Sequence, residues 1–240
     1  MKKSSLLLCS ALGAFWKQNT MATTDTERYV RVTLLTFKGG IWISKKILCR
    51  EVDGTTGTPT LAAVLQSEKP HLNQKRNHRE ITRKQFEILF PPNGDDTDID
   101  KWDLSLLVKM ILILFGPGLP GIEKFHLDEL LTVRNEVLCH TRDPAITEQE
   151  FQSIWTQLII SLNTLASSFD ADSIQYVSDM IRELSKGPLD LQSSVEKLAQ
   201  LCRHEEHMEN VLASLSRLER RQDQIATGVV SANHKLDGKT

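Results

Sequence analysis

The sequence predicts an all-α protein. Three observations predict it: apolar residues recur at three- and four-residue steps through most of the chain, a nearly unbroken apolar run at 104–115 is closed by Gly116-Pro117-Gly118-Leu119-Pro120-Gly121, and Thr147 with Glu150 has the spacing of a capping box. With 240 residues and 40% hydrophobic content, the chain can bury a real core in one or two domains. A net charge of −2 excludes a general attraction to polyanions, so any nucleic-acid contact must come from a local patch. Aromatics are 6% of residues, which does not advertise stacking platforms for single-stranded bases.

Residues 1–25 are set apart as an N-terminal segment. Lys2 and Lys3 precede the apolar run Leu6 to Phe15, the shape of a short secretory signal, but the cleavage site is poorly formed. The expectation is an effective start at Met21 and a cytoplasmic protein, with secretion through residues 1–20 as the other reading. No stretch offers the roughly 20 apolar residues that span a bilayer, so no membrane partner is expected. Cys9, Cys49, Cys139 and Cys202 form no C-x-x-C pair, which argues against a disulfide framework and a zinc ribbon and for a reducing compartment. Cys202, His204 and His207 share no helix face well, so no metal site and no cofactor are predicted.

A helical bundle is expected over 26–169. From Thr26 to Arg50, Val30, Leu34, Phe37, Ile41, Ile47 and Leu48 fit helical spacing better than alternation. Gly39-Gly40 would weaken that helix by about 1 kcal/mol each, which leaves a bend or a strand open. Short helices follow around Leu61 to Gln66 and Thr82 to Leu89. Between and beyond them lie Lys75, Arg76 and Arg79, then Arg83 and Lys84, the densest positive patch in the chain. Such a patch can run along a phosphate backbone, or it can be a solvated helix face. Phe90-Pro91-Pro92-Asn93-Gly94 ends the segment in a turn.

Asp98 and Asp100 precede the apolar run, which is hydrophobic on every face and is therefore expected at the buried centre of the domain. The next helix is read over Leu130 to His140, from Leu130, Val133, Val137 and Leu138. With Leu130 at zero and roughly 100° per residue, the apolar arc runs from roughly 300° through zero to roughly 100°, and Arg134 falls inside it at roughly 40°. A guanidinium there must find an anion, a partner chain or a wet cleft. Asp98, Asp100 and Asp103 are candidate structural partners. Asn135, Glu136 and Cys139 point the other way, and His140 lies on the edge of the arc. After Pro144, Thr147 and Glu150 open a helix with Phe151, Ile154, Trp155, Leu158, Leu162 and Leu165 on one face, expected to pack antiparallel to its predecessor.

Residues 170–230 are read as a helical extension. Ile174, Val177, Met180, Ile181 and Leu184 mark a helix that ends at Gly187-Pro188. Leu191, Val195, Leu198 and Cys202 then follow a heptad-like rhythm, and Val211, Leu215, Leu218, Gln222, Ile225 and Val229 a second one, out of register by one residue. These series predict either a coiled coil or packing back onto the bundle. Residues 231–240 are expected to fray.

The succession Phe90-Pro91-Pro92-Asn93, Trp102-Asp103-Leu104-Ser105-Leu106-Leu107, Arg134-Asn135 with His140, then Phe151 and Trp155 resembles a HEPN domain. More narrowly it is similar to the subgroup found in the DAZ-interacting zinc-finger ubiquitin ligase and in many invertebrate proteins. The similarity spans roughly Glu27 to Phe169. It implies an all-α HEPN-like bundle in a family with many metal-independent ribonucleases, whose two protomers bring Arg–polar–His motifs into one cleft. By that resemblance Arg134 would steady phosphate charge, His140 would act as general acid or base and Asn135 would assist. Arg134 and His140 stand about 9 Å apart along a helix axis and roughly 120° around it, an awkward geometry for one protomer to enclose a phosphodiester. The expectation is thus an interaction module, RNA-associated or in signalling and innate defence. It would work as a homodimer or coiled-coil oligomer with RNA or other signalling proteins as partners; endoribonuclease activity is the alternative reading.

Overall fold

The computed structural model describes residues 25–55, 60–139, 145–185 and 189–201. The segment 1–24, His140, Gly187-Pro188, the Cys202/His204/His207 set, the second heptad series and the tail from 231 lie outside the described residues. Among the described residues there are eight α-helices and no strand. In chain order they are α1 (Asp25–Asp53), α2 (Leu61–Asn77), α3 (Arg83–Leu89), α4 (Leu104–Leu114), α5 (Gly121–Cys139), α6 (Glu148–Ala166), α7 (Ala171–Ser185) and α8 (Leu191–Leu201), with a 3-10 turn at Ile99–Lys101 before α4.

The run at 104–115 is buried over its first two turns, where Leu104, Leu106, Leu107, Val108, Met110 and Ile111 are fully enclosed, while Leu112, Ile113, Leu114 and Phe115 are only partly buried at its end. The hub of the bundle, however, is α1, which packs on α4, α5, α6, α7 and α8 and also meets α2. Its Tyr29, Leu35, Phe37, Ile43, Ile47 and Leu48 are all inaccessible to solvent. Gly39 and Gly40 do not break this helix, because their missing side chains are what let its neighbours in. A Cβ at Gly39 would stand 2.8 Å from Leu162 Cδ1 of α6, and one at Gly40 would stand 3.0 Å from Leu104 Cδ2 of α4. Close packing on two faces offsets the helix-propensity cost of the pair.

Several elements run further than their periodicity suggests. Helix α2 continues through Pro70 to Asn77. Pro70 removes one helical N–H, and its exposed position lets water take the carbonyl it leaves free. Helix α5 starts at Gly121, directly after Pro120, whose carbonyl accepts from Glu123 N and Lys124 N. Its first turns hide the polar residues Glu123 and His126, which blurs the apolar stripe.

The start of α6 is built as its sequence requires. Glu150 N donates to Thr147 Oγ1 at 3.3 Å and Thr147 N to Glu150 Oε2 at 2.8 Å, while Ile146 and Phe151 are buried on either side. Helices α5 and α6 pack on each other.

The hydrophobic core does not stop at Phe169. Val177, Met180, Ile181 and Leu184 of α7 and Leu198 of α8 belong to the same cluster as the rest of the bundle. A polar latch fixes the connection between α7 and α8. Arg31, only 3% exposed, donates to the Leu184 carbonyl and, at 2.6 Å, to Glu27 Oε1, which also accepts from Leu189 N at 3.1 Å. The first heptad series therefore uses Leu198 for packing back on α1. The α6–α7 turn is held in a similar way, with Arg50 and Lys46 lying 5.2 and 5.5 Å over the Phe169 ring.

Candidate functional site

Helix α5 carries the Arg–Asn pair. Leu127, Leu130, Val133 and Val137 form its buried stripe, and Arg134 sits half-buried beside them, as its helical angle anticipates. Arg134 Nη1 donates to Asn135 Oδ1 at 3.0 Å. Asn135 and Glu136 are exposed. The amide oxygen orients one corner of the guanidinium, a planar fork suited to phosphate or carboxylate. The end of this helix is tied to the hub by Tyr29, whose hydroxyl donates to the Val137 carbonyl at 3.3 Å. Asp100 is engaged by Lys45 at 2.6 Å, Asp98 by Lys101 at 3.5 Å, and Asp103 caps α4 by accepting from Leu106 N. Because His140 is outside the described residues, the spacing of the Arg–His motif has no geometry here.

The same helix presents two large apolar side chains to solvent. Ile122 and Phe125 are each 56% exposed. Next to Phe125, His126 faces inward, its Nδ1 3.1 Å from Ser161 Oγ on α6, with both residues buried. Periodicity alone conceals this pair, although His126 stands four residues before Leu130 on the core-facing stripe and thereby marks itself as a buried histidine.

Burial pushes the His126 imidazole below the ordinary histidine range, opposed by the nearby Glu129 carboxylate. A base depressed in the fold binds fewer protons than in the unfolded chain. Its contribution to stability is complete above the unfolded pKa of about 6.5 and declines as pH falls below that value. His126→Gln, which keeps a hydrogen-bonding partner for Ser161, is expected to lose less Tm than wild type between about pH 7.5 and about pH 5. Parallel Tm profiles for the two proteins would contradict this.

The basic residues divide. Arg76, Arg79 and Arg83 line one open groove of about 680 Å³ between the end of α2 and the start of α3. Ile81 and Phe86 form its floor, with Thr82 and Glu87 at the side. Lys75 and Lys84 are not among the groove residues, and Lys75 is bound to Glu80 at 2.9 Å. Arg76 lies over the Phe86 ring, 4.5 Å from its centre, a contact that positions the guanidinium without neutralising it. Arg83 meets Glu87 at 2.9 Å, but with 89% and 53% of these side chains exposed the pair is readily exchanged.

Arg79 is the unusual member. Its N–H donates to the Arg76 carbonyl and Glu80 N to the Lys75 carbonyl, both at 3.0 Å, the two crossed bonds of a Schellman motif. The residue at the centre of that motif is left-handed, and here φ is +62° on an arginine. Glycine is the usual occupant, since a side chain in this conformation costs about 1 kcal/mol or more.

These two candidate regions sit on different parts of the bundle. Helix α5 packs on α1, α4 and α6, whereas the groove belongs to α2 and α3, with α2 leaning on α1. Among the described residues, no group of three or more His, Cys, Asp or Glu side chains could hold a metal ion, and no helix is long and apolar enough to cross a membrane. No protein-family model, curated protein or solved structure matches the chain.

Proposed function

We propose that the chain is a HEPN-like interaction module, RNA-associated or serving signalling and innate defence, that works as a homodimer through the α5 face. The observation that supports this reading is the pair of exposed apolar side chains, Ile122 and Phe125, on the helix that also bears Arg134 and Asn135. Two large apolar groups one helical turn apart in water form a small apolar patch of the kind that association covers. Light scattering of the full chain tests it. Wild type is expected at twice the monomer mass and Ile122→Glu/Phe125→Glu at the monomer mass with unchanged helicity. A wild-type monomer at every concentration would remove the dimer.

The second reading, a metal-independent endoribonuclease, draws on the hydrogen bond that orients Arg134. In that reading Arg134 stabilises charge on the phosphate while His140 moves the 2′-hydroxyl or leaving-group proton. Cleavage of single-stranded RNA in EDTA that His140→Ala abolishes would establish it. Absence of cleavage by the wild-type dimer leaves the interaction module alone.

A further inference from the structure

We propose that the groove between the end of α2 and α3 binds the phosphate backbone of single-stranded RNA, with Arg76, Arg79 and Arg83 as its contacts; this rests on the RNA-associated reading above. Arg76, Arg79 and Arg83 line one groove of about 680 Å³. That is far more room than a lone phosphate needs and lies within the roughly 300–1,000 Å³ range of small-molecule sites. One acid, Glu87, lines the groove, and its pairing with Arg83 is solvent-exposed. A phosphate can therefore displace it at little cost.

Phe86 holds the Arg76 guanidinium 4.5 Å from its ring centre, beside the groove. A guanidinium so held can also stack on an unpaired base, a contact RNA exploits and a bare phosphate cannot. Phe86 itself is 9% exposed and Ile81 1%. The floor is thus a support for the arginines and not an apolar slot for a protein side chain.

The backbone supplies an independent argument. Position 79 is where a helix ending of this type favours glycine, and the chain holds an arginine there in a left-handed conformation. Strain kept at a residue that lines a charged groove points to use of its side chain. With a net charge of −2 the whole molecule does not draw RNA in, so binding depends on these few local contacts and on salt.

Arg79→Gly separates function from folding, because it removes the guanidinium and relieves the backbone at once. The full-length protein is titrated into a short fluorescent oligouridine strand and anisotropy is read over a salt series. Wild type is expected to bind with a log–log salt slope near −2, from about 0.7 per phosphate contact on a single strand. Arg79→Gly is expected to weaken binding about tenfold and flatten the slope by about 0.7 while Tm stays level or rises. Arg76→Ala/Arg83→Ala should remove most of what remains, and inorganic phosphate should compete only weakly. If wild type binds RNA and both variants bind it equally well, the groove is not the site and the RNA-associated reading stands. If wild type binds no RNA, both fall. Tighter binding of an acidic phosphopeptide than of RNA would overturn the proposal in favour of a protein ligand.

Discussion

Arg50→Met is expected to lower the unfolding free energy by about 3 kcal/mol and to change the direction of the protein's response to acid. Arg50 on α1 grips Glu123 at the start of α5 with two parallel bonds, Nη1 to Oε1 at 2.9 Å and Nη2 to Oε2 at 2.6 Å. The Glu123 side chain is only 4% exposed, against 30% for Arg50. Removing the arginine strands a carboxylate in a nearly dry site, which costs more than the pair itself contributes. Ser168 belongs to the same cluster, its hydroxyl accepting from Arg50 Nη1 at 3.2 Å and donating to the Leu165 carbonyl at 2.8 Å.

The pH dependence follows. Hydrogen bonding from Arg50 holds the Glu123 carboxyl below the ordinary glutamate range, against the opposing effect of burial. A depressed acid stabilises the fold above its unfolded pKa of about 4.3, and that share is lost as pH falls through the lower folded value. In the variant the arginine's hydrogen bonds and charge are gone and burial remains, so the carboxyl moves upward. Its penalty is then present at neutral pH and relieved on acidification. From about pH 7 to about pH 5 both proteins share the His126 loss, and the urea midpoint of Arg50→Met should rise relative to that of wild type. Parallel midpoints would show that Glu123 is solvated without its partner. Arg50→Met/Glu123→Leu should recover most of the loss.

Leu198→Asp is the second large effect, about 2–5 kcal/mol, limited by the free energy that docks α8. Leu198 is fully buried in the shared core, where α8 packs on α1. A carboxylate cannot remain there unpaired, so the helix should leave. The latch of Arg31 and Glu27 on Leu184 and Leu189 keeps the connection to α7 in place, so the disruption should stay local. Hydrogen exchange is expected to show fast amides at 191–201, slow ones in α1, α4 and α6, and an unchanged oligomeric mass. A drop in mass with protected α8 amides would instead mean that Leu198 serves a coiled coil between chains.

Much of this architecture is legible in local pattern. The Thr147–Glu150 cap, the enclosed first turns of the run at 104–115 and the half-buried position of Arg134 need only neighbours within two turns of helix. Residues whose partners come from distant sequence are not legible. Glu123 looks like a solvent-facing polar group until Arg50 is brought to it, and the helical stripe places His126 inward without showing that Ser161 meets it there. Gly39-Gly40 looks like a weak point until Leu162 and Leu104 press on it. The basic run reads as a charged surface, and only the left-handed turn at Arg79 shows which three of its five residues line one groove. The Arg134–Asn135 contact is adjacent in sequence, whereas the proposed dimer would draw on a second chain.

The position of α1 has a kinetic consequence. This helix precedes every other described element, yet the helices that cover it extend to Leu201. At roughly 5–20 residues per second, a ribosome needs on the order of ten seconds after finishing α1 to deliver the last of them. Through that interval Tyr29, Leu35, Phe37 and Ile43 have only part of their native cover. Such long sequence separations slow the closing of the bundle, and the nascent chain should depend on a holding chaperone while its first helix waits for its last.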